Sequence, residues 1–161
     1  MSVEPASGGD AYQVAYDEAV RMIDGQERSL DELRSRAGLV LTAGSAVTAF
    51  LGGFALSGAH SHALEISAGG AFAIVAILLL ILLWPTGGWK FRLDAKTIID
   101  AYIEGAEPLE TPALHRELAL RYATNADSNR KKMDWRWWVF EAALVLLASE
   151  TAIWLLAFAF K

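Results

Sequence analysis

Residues 67–85 read SAGGAFAIVAILLLILLWP, an apolar run without a charged side chain. Two further apolar runs, at 37–56 and 138–160, lie before and after it in the chain. A helix needs about 20 residues to span the ~30 Å hydrocarbon core of a bilayer, and each run has about that length. The three runs predict an all-α integral membrane protein with three transmembrane helices and a helical cytoplasmic part.

The composition points to the same class of protein. Apolar residues make up 54% of the 161 residues, while the 20% that are charged crowd the segments between the runs. The net charge of −5 argues against nucleic acid as a partner, because nucleic-acid-binding proteins are expected to carry a basic face. The chain has no cysteine, and its polar residues form no constellation typical of hydrolysis or group transfer. We therefore expect a protein that is not an enzyme and that uses no cofactor and no metal.

The basic residues predict the orientation in the membrane. All of them except Lys161 lie either before the first run or between the second and the third. The positive-inside rule assigns that side to the cytoplasm. We expect a multi-pass protein of the cell membrane with a cytoplasmic N-terminus and a C-terminus outside.

This topology divides the chain into four segments. The sequence PTGG at 85–88 breaks the helix after the second run, and Thr111 followed by Pro112 is a typical helix start. The predicted segments are a cytoplasmic amphipathic helix at 1–36, a transmembrane hairpin at 37–85, a cytoplasmic helical segment at 86–137 and a third transmembrane helix at 138–161.

The N-terminal segment carries a regular apolar stripe, which we call the seam. Its members recur at alternating spacings of four and three residues, as in a coiled coil. Two interpretations are open: the seam packs on other cytoplasmic helices of its own chain, or it joins copies of the chain. The seam consists of Tyr12, Tyr16, Ala19, Ile23, Gln26, Leu30, Leu33 and Ala37.

Small residues recur on one face of the first predicted span, and we call this set the small-residue stripe. Small side chains let helices approach closely in lipid, where packing and hydrogen bonds drive association. Gly38, Ala49 and Gly52 are therefore predicted to serve helix packing. The full stripe is Gly38, Thr42, Ser45, Ala49 and Gly52.

Glu150 lies near the middle of the third predicted span, where a carboxylate is costly and asks for a reason. In a structural interpretation it accepts a hydrogen bond from Ser45 or Thr48 of the first span. In a functional interpretation, copies of Glu150 from several chains line a wet pathway, since a ring of carboxylates favours cations. The candidate intramembrane polar residues are Glu150, Thr42, Ser45 and Thr48.

Basic residues cluster at 128–136, just before the third run. They predict topogenic charge and attraction to anionic lipid headgroups. Binding of an anionic ligand, such as a nucleotide, is the alternative, although no glycine-rich phosphate loop accompanies it.

A helix at 17–36 enters the small-residue span at 38–53, a second span at 71–84 returns, and a helix at 112–132 follows. This layout resembles the bacterial SLATT proteins, the SMODS- and SLOG-associating two-transmembrane effectors. The resemblance implies an oligomeric, pore-forming membrane effector of a defence system, gated by a partner that senses nucleotides. This chain adds a third span and has no fused sensor domain, and no functional residue of the family carries over to it.

The sequence thus predicts a small oligomeric membrane channel or pore-type effector. The alternative is a non-conducting membrane anchor or scaffold that presents its cytoplasmic helices to a partner. The expected partners are the lipid bilayer, further copies of the chain, and a cytoplasmic protein, which in the effector case senses nucleotides.

Overall fold

The structure, a computed structural model, describes residues 8–55, 62–105 and 107–159. These residues form helices and short irregular connections and contain no strand, so the all-α prediction is confirmed for the described part of the chain. The long helices are α1 (Gly8–Ala55), α2 (His62–Leu83) and α4 (Thr111–Ala159). Between α2 and α4 lies the short α3 (Ala95–Ile98), which continues into a π-helical turn at Ile99–Ile103.

Local sequence explains where these helices begin and end. α4 begins at Thr111 with Pro112 next, where the missing proline N–H is not needed. The carboxylate of Asp94 accepts hydrogen bonds from the backbone N–H groups of Lys96 and Thr97, both at 3.3 Å, and so caps α3. After α2 the chain turns at Gly88, whose φ of 86° favours glycine.

The chain divides into two compact units. Unit 1 comprises Met1–Leu30 and Thr86–Met133, and unit 2 comprises Asp31–Pro85 and Asp134–Lys161. Both α1 and α4 therefore contribute residues to each unit, whereas α2 belongs to unit 2 alone and α3 to unit 1 alone.

The seam accounts for the interior of unit 1. Ala19, Ile23 and Leu30 of α1 are buried there. The Gln26 side-chain amide donates a hydrogen bond of 2.9 Å to the backbone carbonyl of Ala126 on α4. The seam therefore packs within its own chain, as the first of the two interpretations holds. The buried apolar residues that α4 supplies to unit 1 are Leu118, Ala126 and Met133.

The interior of unit 2 is built from three helices. Each helix buries one face: the spacings are four residues in α1, four and three in α2, and four and three from Val139 and Phe140 to Ala143 in α4. α2 is apolar all round, and its remaining faces are exposed at positions such as Ile74 and Ile77. The core consists of Leu33 and Ala37 from α1, Val75, Leu79 and Leu82 from α2, and Val139, Phe140 and Ala143 from α4.

Two of the described helices contain a segment that is long and apolar enough to cross a membrane, at Ile66–Leu83 in α2 and within Thr111–Leu156 in α4. The sequence predicts three spans, and the run at 37–56 is not one of these two. Its glycine, serine and threonine residues lower its hydropathy, and its last residue, Leu56, lies outside the described residues. Phe160 and Lys161, at the predicted outer end of the third span, also lie outside them.

Candidate functional site

Glu150 is buried inside unit 2, with 1% of its surface exposed. Its Oε1 atom accepts a hydrogen bond of 2.6 Å from the hydroxyl of Thr48 and one of 3.1 Å from the indole N–H of Trp154. Its Oε2 atom is buried and has no hydrogen-bond partner among the described residues. The Oε1 atom therefore links α1 to α4, whereas the Oε2 atom lies in the protein interior without a hydrogen bond from the described residues.

Local helix geometry explains how these groups meet. Trp154 follows Glu150 by four residues, so both side chains lie on the same face of α4. On α1, Gly52 follows Thr48 by four residues, and a Cβ placed at Gly52 would lie 3.8 Å from the Trp154 ring. A small residue at position 52 therefore leaves room for the indole beside the Thr48–Glu150 contact.

The sequence predicts Ser45 or Thr48 as the contact of Glu150, whereas the part played by Trp154 emerges only in the structure. The sequence feature that indicates this contact is the spacing of four residues between the carboxylate of Glu150 and the indole of Trp154 on one helix. A buried Trp N–H usually finds a hydrogen-bond partner, and Glu150 is the acceptor one turn away.

Ser45 and Thr42 do not join this cluster. Both side chains are exposed, and each hydroxyl donates to the carbonyl four residues earlier on α1, over 2.7 Å to Leu41 and 3.0 Å to Gly38. Such bonds satisfy a hydroxyl without a partner helix. Of the two hydrogen-bond donors that the sequence suggested for Glu150, the structure uses Thr48.

The small-residue stripe lies largely on the surface of unit 2. Ala49 is exposed, and a Cβ added at Gly38 would have no atom within 4 Å. The close approach within unit 2 occurs instead at Gly44, where an added Cβ would lie 3.1 Å from Leu147 and 3.8 Å from Phe72. Of the three residues predicted to serve packing, Gly52 is thus the one beside another helix.

Arg136 is a second buried polar residue of unit 2, 3% exposed. One terminal guanidinium nitrogen donates a hydrogen bond of 2.9 Å to the carbonyl of Leu82. The last carbonyls of a helix have no partner within it, so Arg136 satisfies one of them at the end of α2. In the sequence, Arg136 is one of several basic residues at 128–136, and no local pattern marks it as buried.

Two further members of that basic stretch hold a loop of unit 1. The side-chain amide of Asn129, which is fully buried, accepts from the backbone N–H of Lys90 and donates to its carbonyl, both at 3.2 Å. Lys132 donates to the carbonyl of Gly88 and lies 5.6 Å from the centre of the Trp89 ring. α4 thus fixes the path of the loop that carries Lys90.

An aromatic cluster lies elsewhere in unit 1. Tyr16 stacks on His115 with ring centres 5.4 Å apart and tilts against Tyr122 at 6.0 Å. Burial, with the neighbouring Tyr122 and Asp17, raises the pKa of Tyr16, so its phenol stays neutral at physiological pH. The cluster therefore packs α1 against α4 within unit 1.

Comparisons with protein-family models, with curated proteins and with solved structures gave no match. Proposals about function therefore depend on two local features of the structure: the buried Glu150 contact in unit 2, and the loop held by Asn129 in unit 1.

Proposed function

We propose that the chain is an integral membrane protein whose unit 2 lies in the bilayer. Only 22% and 28% of the two candidate span windows are buried inside the protein, so most of their surface faces a solvent. In water this would leave many large apolar side chains exposed, which soluble monomers rarely do over a contiguous surface. The exposed large apolar residues of unit 2 include Leu39, Val47, Phe50, Ile66, Ile74, Ile77, Leu80, Ile81, Leu144, Val145, Leu155 and Leu156.

We propose that the part of α1 within unit 2, the first of the three predicted spans, crosses the membrane in addition to α2 and α4. Its lower hydropathy comes largely from small and hydroxyl residues, and the hydroxyls of Thr42 and Ser45 are already bonded to their own helix. A lipid environment would therefore leave neither hydroxyl unpaired. With three spans, the N-terminus is cytoplasmic and the C-terminus outside.

Tryptophans support this orientation. Trp84, at the end of α2, is 69% exposed, and Trp135 and Trp138 on α4 are also exposed. Indoles favour the headgroup level of a membrane, where an apolar ring and a polar N–H are both accommodated. All three flank the side that the basic residues assign to the cytoplasm.

The function that this geometry supports best is a non-enzymatic, non-conducting membrane anchor or scaffold that presents unit 1 to a cytoplasmic protein. The observation that carries it is Glu150. Its side chain is enclosed within one chain and bonded to Thr48 and Trp154, so it holds helices together and is not directed at a shared pathway.

Unit 1 offers a surface suited to such a partner. Tyr12, Met22 and Leu120 are exposed and line a groove of about 430 Å³ between α1 and α4. Its lining is almost entirely apolar, apart from Glu18 and Arg116. Grooves of this kind take the apolar face of an amphipathic helix, and we propose that the partner protein supplies one.

A channel is the second candidate, and the exposed part of the small-residue stripe favours it. Thr42, Ser45 and Ala49 lie on the surface of α1, where copies of the chain can pack closely. Several copies would then enclose a path lined by the hydroxyls of Thr42 and Ser45, with Glu150 outside it. The SLATT resemblance supports this candidate, which would be a pore-type effector.

Cysteine labelling tests the topology directly, because the chain has no cysteine of its own. We expect a membrane-impermeant maleimide to label Ser61→Cys in intact cells. Ser128→Cys, in unit 1, should be labelled only after permeabilisation. Ser29→Cys tests the α1 span itself, because only that span would separate it from Ser61, and it should also be labelled only after permeabilisation. Labelling of Ser29→Cys in intact cells would remove α1 as a span, and labelling of Ser61→Cys only after permeabilisation would overturn the whole topology.

Reconstitution separates anchor from channel. Purified protein in liposomes should leak cations no faster than empty liposomes, and nanodiscs should report how many copies associate. Cation flux that falls on Thr42→Val or Ser45→Ala would establish the channel and reject the anchor. Glu150→Gln serves as the matched control, since we place Glu150 outside any pathway.

A further inference from the structure

Three basic residues of unit 1 line a common cavity. A cavity of about 260 Å³ opens between the loop at 90–94, the α3 region and α4. Lys90, Arg92 and Arg121 line it, opposed by the single carboxylate of Asp94. That carboxylate is already engaged by the N–H groups of Lys96 and Thr97 and by the Thr97 hydroxyl. Among the residues that line the cavity, three cations therefore face one carboxylate.

Tyr102 supplies the second, independent observation. It lines the same cavity and is only 9% exposed, and its hydroxyl is buried without a hydrogen-bond partner among the described residues. Buried hydroxyls are almost always bonded, so an unbonded one needs an explanation. The hydroxyl is itself closed to solvent, so an acceptor in the cavity reaches it only after a small shift of the lining. The phenol O–H would then donate to an anionic oxygen.

Arg121 is positioned to share that acceptor. Its guanidinium lies 5.0 Å from the centre of the Tyr102 ring, which restrains its orientation. Its ion pair with Glu117, at 3.6 Å, is made through Nε. The two terminal nitrogens are therefore directed away from that contact, and a planar guanidinium pairs well with the oxygens of phosphate.

The loop side of the cavity is held in place before any ligand arrives. Asn129 bonds both backbone groups of Lys90. Arg92, by contrast, is 86% exposed along its side chain and lies 4.0 Å from Glu27, the limit of an ion pair. Lys90 thus starts from a fixed backbone, while the Arg92 side chain is able to swing over a ligand.

We propose that this cavity binds a phosphate group, held by Arg121, Lys90 and Arg92 and by the hydroxyl of Tyr102. Its volume is slightly below the roughly 300–1,000 Å³ of small-molecule sites, which suits a phosphate with a short attachment rather than a large ligand. A phospholipid headgroup and a soluble phosphate compound share this chemistry. The site lies within unit 1, and the proposal does not depend on whether the protein conducts.

The test uses the full-length protein in phosphatidylcholine nanodiscs and has two arms. In one, inorganic phosphate and pyrophosphate are titrated by calorimetry. In the other, phosphatidylglycerol is added to the nanodisc and the midpoint of thermal unfolding is measured. Binding in the first arm alone identifies a soluble phosphate source, and a raised midpoint in the second arm alone identifies a lipid headgroup. No effect in either arm overturns the proposal.

Substitutions of residues that line the cavity test whether phosphate binds there. Arg121→Gln should weaken phosphate binding at least about tenfold, and Tyr102→Phe, which keeps the ring under Arg121, about threefold to tenfold. Arg130→Gln is the matched control, because it removes one exposed charge from α4 outside the cavity. An equal loss for Arg130→Gln would mean that only net charge matters and would reject the site.

Tyr102→Phe also has a ligand-free readout. Because the hydroxyl is buried without a partner among the described residues, its removal should raise the unfolding midpoint in ligand-free phosphatidylcholine nanodiscs, or at least not lower it. A clear drop in that midpoint would show that the hydroxyl bonds within the protein, and the argument from Tyr102 would fail.

Discussion

Units 1 and 2 draw on the same two long helices, yet they place their polar groups on opposite sides. Unit 1 buries Ala19, Ile23 and Leu30 of the seam and keeps its ion pairs outside, such as Arg21–Glu18 and Arg121–Glu117. Unit 2 exposes isoleucine and leucine along α2 and buries Arg136 and Glu150. The change of solvent proposed above, from water to lipid, explains this inversion, because lipid favours an apolar exterior and leaves polar groups to pair within the protein.

The buried polar residues of the two units also have different roles. In unit 1 the buried Asn129 fixes a loop through two backbone hydrogen bonds. In unit 2 the buried Arg136 and Glu150 join one helix to another through Leu82 and Thr48. In the proposed lipid environment there is no hydrophobic driving force between helices, so packing and such hydrogen bonds would carry the association of helices in unit 2.

The largest expected effect tests the inner face of unit 2. Leu79 is fully buried and Leu80, its neighbour on α2, is 53% exposed. Leu79→Ala should lower the free energy of unfolding by about 2–5 kcal/mol, because it leaves a cavity in the core. Leu80→Ala should cost no more than about 0.6 kcal/mol, the value of a lipid-facing leucine on insertion scales. Unfolding in mixed micelles measures both, and equal losses would contradict the assigned inner face.

An intermediate effect tests the outer faces of the two units against each other. Ile77 in unit 2 is 58% exposed and Val14 in unit 1 is 67% exposed. Ile77→Arg should cost about 2.5–3.5 kcal/mol, because it places a charge in hydrocarbon. Val14→Arg should change stability by less than about 0.5 kcal/mol, as surface substitutions in water do. The fraction of protein inserted in the membrane and the unfolding free energy report both, and similar small effects would remove the contrast between the units.

The smallest expected effect concerns the polar contact inside unit 2. Thr48→Val removes the hydroxyl that donates to Glu150 and should lower the free energy of unfolding by about 0.6–2 kcal/mol. Thr42→Val is the matched control, since that hydroxyl donates only to the carbonyl of Gly38 on its own helix and is exposed. The difference between the two variants, measured in the same micelles, isolates the interhelical bond. No difference would mean that Glu150 does not depend on Thr48.

Parts of the candidate sites were visible in the sequence because they depend on local rules. The seam spacing predicted which residues of α1 share a face, and the structure buries Ala19, Ile23 and Leu30 on it. Thr48 and Ser45 were both reasonable partners for Glu150, since they lie at similar depth in the predicted spans. Helical rotation separates them: Thr48 reaches Glu150, whereas Ser45 is exposed.

The sequence by itself determined that the chain is helical, where its apolar runs lie, and where α4 begins. These features depend on neighbouring residues alone: an apolar run is read directly from the chain, and Thr111 with Pro112 marks a helix start. Only the tertiary structure decided which face of the uniformly apolar α2 is buried, that Gly44 and not Gly38 meets other helices, and that Arg136 donates to a carbonyl at the end of α2. It also placed Tyr102 beside Lys90 and Arg121. These outcomes depend on contacts between residues far apart in the chain, and periodicity within one helix cannot select between partners on another.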